Sequence, residues 1–208
     1  MAVFCRAELA GPRRSAASTL AAGQVARFTD HGSGWVYEAE GFSLAERTGT
    51  WATGPVAGLV LWPSLEPRRA QAAGPDAPDG VATDSADAAP GLKRTGGRDG
   101  EAVAIDLDLA ALPGAVTHLA VLINGHDAGH VALPSDGAMR RVRLCVPPTM
   151  AAPDGVLDLV FVNPQARSPA SLGYGQDVRI LSFWLAAMSV APAADCPPAP
   201  ALSVPAVR

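Results

Sequence analysis

Four short runs in the middle of the chain, AVAIDLDL (102–109), HLAVLIN (118–124), RRVRLCV (140–146) and VLDLVFV (156–162), share a short, β-branched character. The first has a period of two, Val103, Ile105, Leu107 and Leu109 alternating with Ala104, Asp106 and Asp108. Successive side chains of an extended strand point to opposite faces, so such a run buries one face and wets the other; a helix would repeat its apolar residues every three or four positions. VARFT (25–29), WVYEAE (35–40) and VAGLVLW (56–62) add three strands upstream, and VRILSFWLAAMSV (178–190) closes the set. Short strands at regular spacing, with no convincing amphipathic helix among them, predict an all-β chain. The expected architecture is an antiparallel β-sandwich of the jelly-roll or galactose-binding-like kind.

Between the strands, composition marks the domain limits. From Pro63 to about Gly100 the chain has almost no large apolar residue and no period. Such a stretch cannot bury enough surface to offset its ordering entropy, and it is expected to be a long disordered insert. Residues 1–22 are weakly patterned, and 191–208 form a Pro-rich tail. One sandwich domain over 23–190, carrying the insert at about 63–100, is the organisation this implies.

Charge and termini narrow the function classes. A formal charge of −4 argues against nucleic acid as a partner, since phosphate binding needs a concentrated basic face. Arg6 and Glu8 interrupt the apolar stretch a secretory signal would need, and ILSFWLAAMSVA (180–191) is shorter than the roughly 18–20 residues of a spanning helix. A cytoplasmic protein without a membrane span is the expectation. The cysteines, Cys5, Cys145 and Cys196, are odd in number and match no zinc or redox spacing. No disulfide framework is expected, and Cys145, inside RRVRLCV, reads as a small buried hydrophobe.

THLAVLINGHDAGHVAL (117–133) sets His126 and His130 around Asp127. A zincin helix requires H-E-x-x-H on continuous helical backbone, whereas here Asp replaces Glu and the unit contains a glycine. It also follows Asn124-Gly125, a strong hairpin signal, so strand, tight turn, strand is the simpler reading. Neither a metal nor another cofactor is expected. There is no G-x-S-x-G, P-loop or Gly-rich dinucleotide pattern, and the pairs Glu38/Glu40 and Asp106/Asp108, two apart, belong on the wetted face of a strand. No catalytic residues are assigned.

Two stretches carry more specific patterns, GFSLAERTGTWATGPVAGLVL (41–61) and FVNPQARSPASLGYGQDVRILSFWLAAMSV (161–190). Gly41, Ser43, Glu46, Gly49, Trp51 and Gly54 keep one spacing; Ser168, Pro169, Leu172, Gly173, Asp177 and Arg179 keep another, with Asn124-Gly125 between them. Together they resemble a bacterial jelly-roll-like accessory domain found with polysaccharide-building glycosyltransferases. Phe42, Ala45 and Thr48 depart from that pattern, which has Trp, Pro and Trp there, and so remove aromatic surface. The resemblance implies a non-catalytic accessory domain of cell-surface polysaccharide or glycan synthesis, with a saccharide or a glycosyltransferase as partner. A purely structural module that docks such a partner without binding sugar is the alternative.

Glu46, Trp51, Asp177 and Arg179 form the candidate cluster. Trp51 either fills the core or offers a flat platform, while Arg179 with Glu46 or Asp177 would pin the first block to the last strand as a structural or ligand-binding group. A sugar site would also require at least one exposed ring among Trp35, Tyr37, Trp51, Trp62 and Tyr174.

Overall fold

A computed structural model describes residues 17–65 and 101–193, and all the longer elements there are strands. In chain order they are β1 (Ser18–Ala21), β2 (Val25–Arg27), β3 (Glu38–Glu40), β4 (Thr50–Thr53), β5 (Val56–Ser64), β6 (Ala102–Ala111), β7 (Thr117–Ile123), β8 (His126–Leu133), β9 (Arg140–Val146), β10 (Leu157–Val162) and β11 (Leu181–Ala193). One sheet runs β1-β5-β10-β7-β8, with β3 also on β5; the other runs β2-β11-β6-β9, with β4 also on β11. All pairings are antiparallel except β1 with β5. The fold is the all-β sandwich that the alternation predicts.

The core lies between the two sheets and follows from parity. Leu59, Leu61, Leu119, Val121, Ile123, Leu159 and Phe161 enter it from the β5 sheet, and Ile105, Leu107, Leu109, Leu144, Phe183, Leu185 and Met188 from the β11 sheet. Phe161 and Phe183 meet across it with ring centroids 5.2 Å apart, and Phe42 abuts Phe183 edge-on at 6.3 Å. Each fully buried side chain of this size contributes roughly 1.5–3 kcal/mol of transfer free energy.

Strand limits differ from the sequence reading in five places. β1 lies inside the segment read as weakly patterned, and β4 inside the first motif block; at four residues each, neither is long enough to display a period. Residues 34–37 form a 3-10 turn where 35–37 were read as the start of a strand, which places Tyr37 in the core with its hydroxyl donating to the Thr19 carbonyl at 3.0 Å. β5 continues through Pro63 to Ser64 and β11 through Pro192 to Ala193. The insert from residue 66 onward and the tail beyond Ala193 lie outside the described residues.

Asn124-Gly125 forms the β7–β8 turn, both residues with positive φ (50° and 78°), which Asn and Gly tolerate best. The Asn124 side chain does more than turn the chain. Its Nδ2 donates to the carbonyls of Met150 (2.8 Å) and Val156 (3.1 Å), and its Oδ1 accepts from the Asp158 amide (3.0 Å). His126 and His130 therefore stand on strand backbone as exposed side chains. The pairings His118–Ala132 and Ala120–His130 put His118 on the same outer face as His130, a neighbour that sequence spacing did not suggest. Among the described residues, no group of three or more His, Cys, Asp or Glu is placed to hold a metal ion.

Candidate functional site

On the β11 sheet the positions that alternate with the core face outward. Phe183 and Leu185 point in, so Trp184 points out; Thr50 and Ala52 are buried, so Trp51 points out beside it. The two tryptophans are register partners, their rings meeting edge to face at 5.0 Å and 68°. Ser43 fixes the β4 side of this pair. Its amide donates to the Trp51 carbonyl (2.9 Å), its Oγ accepts from the Trp51 amide (3.2 Å), and its carbonyl accepts from Thr50 Oγ1 (3.0 Å). Gly49 lies so close to the Trp184 indole that any side chain there would collide with it. Both rings are half-buried, in contact with the sheet and in reach of solvent.

Next to Trp184 on this face comes Ala110, then two ion pairs across β6 and β9. Arg141 grips Asp108 with Nε and Nη2 at 2.9 and 3.0 Å, and Arg143 grips Asp106 with the same two groups at 2.7 Å each. Hydrogen bonding from Arg143 holds the Asp106 carboxyl below the usual carboxylate range, with charge attraction adding to it against partial desolvation. A row of charge on β9, an edge strand, also discourages pairing with another chain.

Of the four residues expected as one cluster, Arg179 and Asp177 come together, while Glu46 and Trp51 stand apart from them. Arg179 pairs with Asp177 two residues before it: Nη2 to Oδ2 is 2.6 Å, Nε lies 3.1 and 3.0 Å from the two oxygens, and the Arg179 amide donates to Oδ1 at 2.9 Å. This lowers the Asp177 pKa, with the side-chain hydrogen bond as the largest cause. Glu46 is exposed and acts on Arg179 only as the weakest of its electrostatic influences; the Glu46 backbone bonds to Gly49 and Asp30. Trp51 has Trp184 as its ring partner. The first block and the last strand are joined by backbone bonds instead, Gly54 N to Ile180 O (2.8 Å) among them, together with the β4–β11 pairing.

Three groups escaped the sequence reading. Trp184 was visible only as the odd member between two core residues, and its neighbour Trp51 belongs to a strand far away in sequence. The Arg141 and Arg143 pairs were foreshadowed by two runs of charge at spacing two, one acidic and one basic. Cys145 is the third and corrects an expectation: it is disulfide-bonded, while Cys5 and Cys196 both lie outside the described residues. Its neighbours Leu144 and Val146 are in the core, so the alternation itself sends Cys145 outward.

Of the five candidate rings, Tyr37 is buried, Trp51 and Trp62 are half-buried, and Trp35 and Tyr174 are 67% and 55% exposed. Glu38, read as part of a wetted face, is half-buried instead. One of its carboxylate oxygens is out of solvent with no hydrogen-bond partner, and burial pushes its pKa up.

No family model matches the chain. No curated protein matches it either. Among solved structures it is similar to an exo-beta-1,3-galactanase from Phanerochaete chrysosporium, determined with beta-1,3-galactotriose, at TM-score 0.35 and 11% identity. That likeness covers 81% of this chain, which spans only 26% of the galactanase chain. It is also similar to a family 35 carbohydrate binding module from an environmental isolate, at TM-score 0.35 and 10% identity, over 85% of this chain and 90% of that one.

Proposed function

We propose that this chain is a non-catalytic β-sandwich accessory domain that binds carbohydrate on the outer face of its β11 sheet, alongside machinery that builds bacterial cell-surface polysaccharide. The Trp51–Trp184 pair carries this reading. A pyranose ring presents an apolar face of C–H groups and a rim of hydroxyls. The first suits a fixed aromatic surface, and the second suits carboxylate acceptors and guanidinium donors such as those of Asp108 and Arg141. The link to polysaccharide synthesis rests on the motif resemblance of residues 41–61 and 161–190. Disulfides persist in oxidising compartments and are rare in cytosol, so the Cys145 disulfide favours a compartment other than the cytoplasm first expected. Among the described residues, no helix is long and apolar enough to cross a membrane.

Affinity electrophoresis through gels containing neutral or acidic polysaccharides tests the reading. At least one polysaccharide should retard the wild type, and Trp51→Ala should weaken that interaction at least about tenfold, or about 1.4 kcal/mol, with its circular dichroism unchanged. Unreduced, unfolded protein should show one free thiol among its three cysteines. Equal retardation of wild type and Trp51→Ala would remove this face as the site. The exposed apolar side chains of Leu44, Val178 and Ile180 favour the docking alternative, for which a glycosyltransferase would bind the domain with no glycan present.

A further inference from the structure

We propose that Tyr174 forms a second saccharide-stacking platform at the end of the sandwich where β10 leads into β11, a proposal that rests on the carbohydrate reading above but uses a different surface. Tyr174 is left 55% exposed, with a neighbouring turn packed against one side of its ring. Its ring lies against Gly114 in the β6–β7 turn: a Cβ at Gly114 would come within 2.8 Å of the phenol oxygen and 2.9 Å of a ring carbon. Only glycine allows that approach. Gly173 and Gly175, on either side of the tyrosine, have φ of 81° and 92°, which lifts Tyr174 out of the loop at an angle other residues resist.

The loop beneath the ring is braced. The Tyr174 amide donates to the Pro169 carbonyl (2.9 Å), the Ala170 amide to the Asp177 carbonyl (2.9 Å), and Ser171 Oγ to the Ser168 carbonyl (2.7 Å). Gly114 is itself tied to the β8–β9 loop through its amide and the Ser135 carbonyl (2.8 Å). Three connections thus converge beneath and beside one exposed ring. A surface ordered before the ligand arrives avoids the entropic cost of ordering it on binding.

Polar chemistry for hydroxyls stands in the same loop. Residues 169 and 170 hold both Tyr174 and Asp177, and Asp177 is paired with Arg179 through Nε and Nη2, bonds that do not use Nη1. An acceptor and a donor on adjacent hydroxyls, with one apolar ring face against the phenol, match a terminal pyranose unit with vicinal hydroxyls. Trp35 is more exposed, and among the described residues no glycine has its ring as a nearest neighbour.

The chain has two tyrosines, and Tyr37 is in the core, so the exposed ring can be followed by difference in proton NMR. The probes are methyl β-glucopyranoside, methyl β-galactopyranoside and the corresponding uronates. At least one should shift the Tyr174 ring signals and leave those of Tyr37 in place. Tyr174→Ala should weaken that probe at least about tenfold, whereas Tyr174→Phe should stay within about threefold of wild type. Glycoside binding that Trp51→Ala abolishes and Tyr174→Ala leaves intact overturns this proposal and keeps the sheet-face reading. The reverse pattern supports the proposal and overturns the sheet-face site. No shift and no binding by any probe or polysaccharide overturns both.

Discussion

At the centre of the outer side of the β5 sheet, Val60 and Val160 are 5% and 4% exposed beside Gly58, Leu122, Val162 and the acid Asp158, with His118 and His130 toward the β8 edge, while the matching side of the β11 sheet carries Asp106, Asp108, Arg141, Arg143 and two tryptophans. Both faces arise from the same two-residue repeat. The sequences differ accordingly: β5 and β10 read as nearly continuous apolar runs, as strands do when both faces are shielded, whereas β6 alternates cleanly because one face is wet. The contrast separates structural from functional chemistry. The β5 sheet depends on groups removed from water, which tolerate little change; the β11 face presents groups that can be altered while the fold stays intact, and an interaction site has that freedom.

The largest effect should come from the β5 side. Asn124→Ala loses three side-chain hydrogen bonds and places alanine at positive φ, so the urea-unfolding free energy should fall by about 3 kcal/mol or more. Asn124→Gly relieves the backbone and leaves the three partners unsatisfied, which divides the loss between its two sources. A loss no greater than that of a surface substitution would erase the contrast.

Next comes Glu38, on the β3 edge of the same sheet. Burial raises its pKa above the ordinary 4.5, so the folded state holds its proton more tightly than the unfolded chain does. The corresponding stability is fully present below the unfolded value and is lost as pH rises through the folded one. Glu38→Gln should therefore gain melting temperature relative to wild type as the pH rises above 4.5, and a pH-independent difference would show that the carboxyl is not the cause.

The smallest effect should be at Arg143, across the molecule. Its pair with Asp106 is exposed on the arginine side, so Arg143→Ala should unfold close to wild type and closer still in high salt. Because the folded Asp106 pKa is lowered, what the pair contributes is present above the ordinary 3.8 and lost as pH falls through the folded value. Thermal melts at neutral and strongly acidic pH test this. A large, salt-independent loss would make the β11 face as structural as its counterpart.

Much of this was legible before the structure. Parity along each strand gives the face of its residues except at bulges such as that between Leu185 and Ala187, and it sufficed for the sandwich, most of the core and the Asn-Gly hairpin. It does not say which strand lies alongside. For that reason two partners stayed open for Arg179, Glu46 across the fold and Asp177 in its own loop, and it pairs with Asp177, while Trp51 proves to belong with Trp184. Cys145 was misread against its own pattern, since the alternation that buries Leu144 and Val146 excludes it from the core. β1 and β4 were invisible because four residues make two repeats at most.

β2 and β4 both hydrogen-bond to a single side of β11, whose other side is taken by β6. On a ribosome, β2 emerges with no strand to pair with until residues 181–193 have been made, β4 has only the short Phe42–Ala52 bridge, and β6 waits with one edge open. This sheet therefore cannot assemble stepwise during synthesis; it closes late, through contacts of long sequence separation, which is the slow route to a folded domain. Until it closes, the long edge of β6 lacks its partner, and charged side chains on β6 and β9 are of the kind that disfavour pairing with another copy.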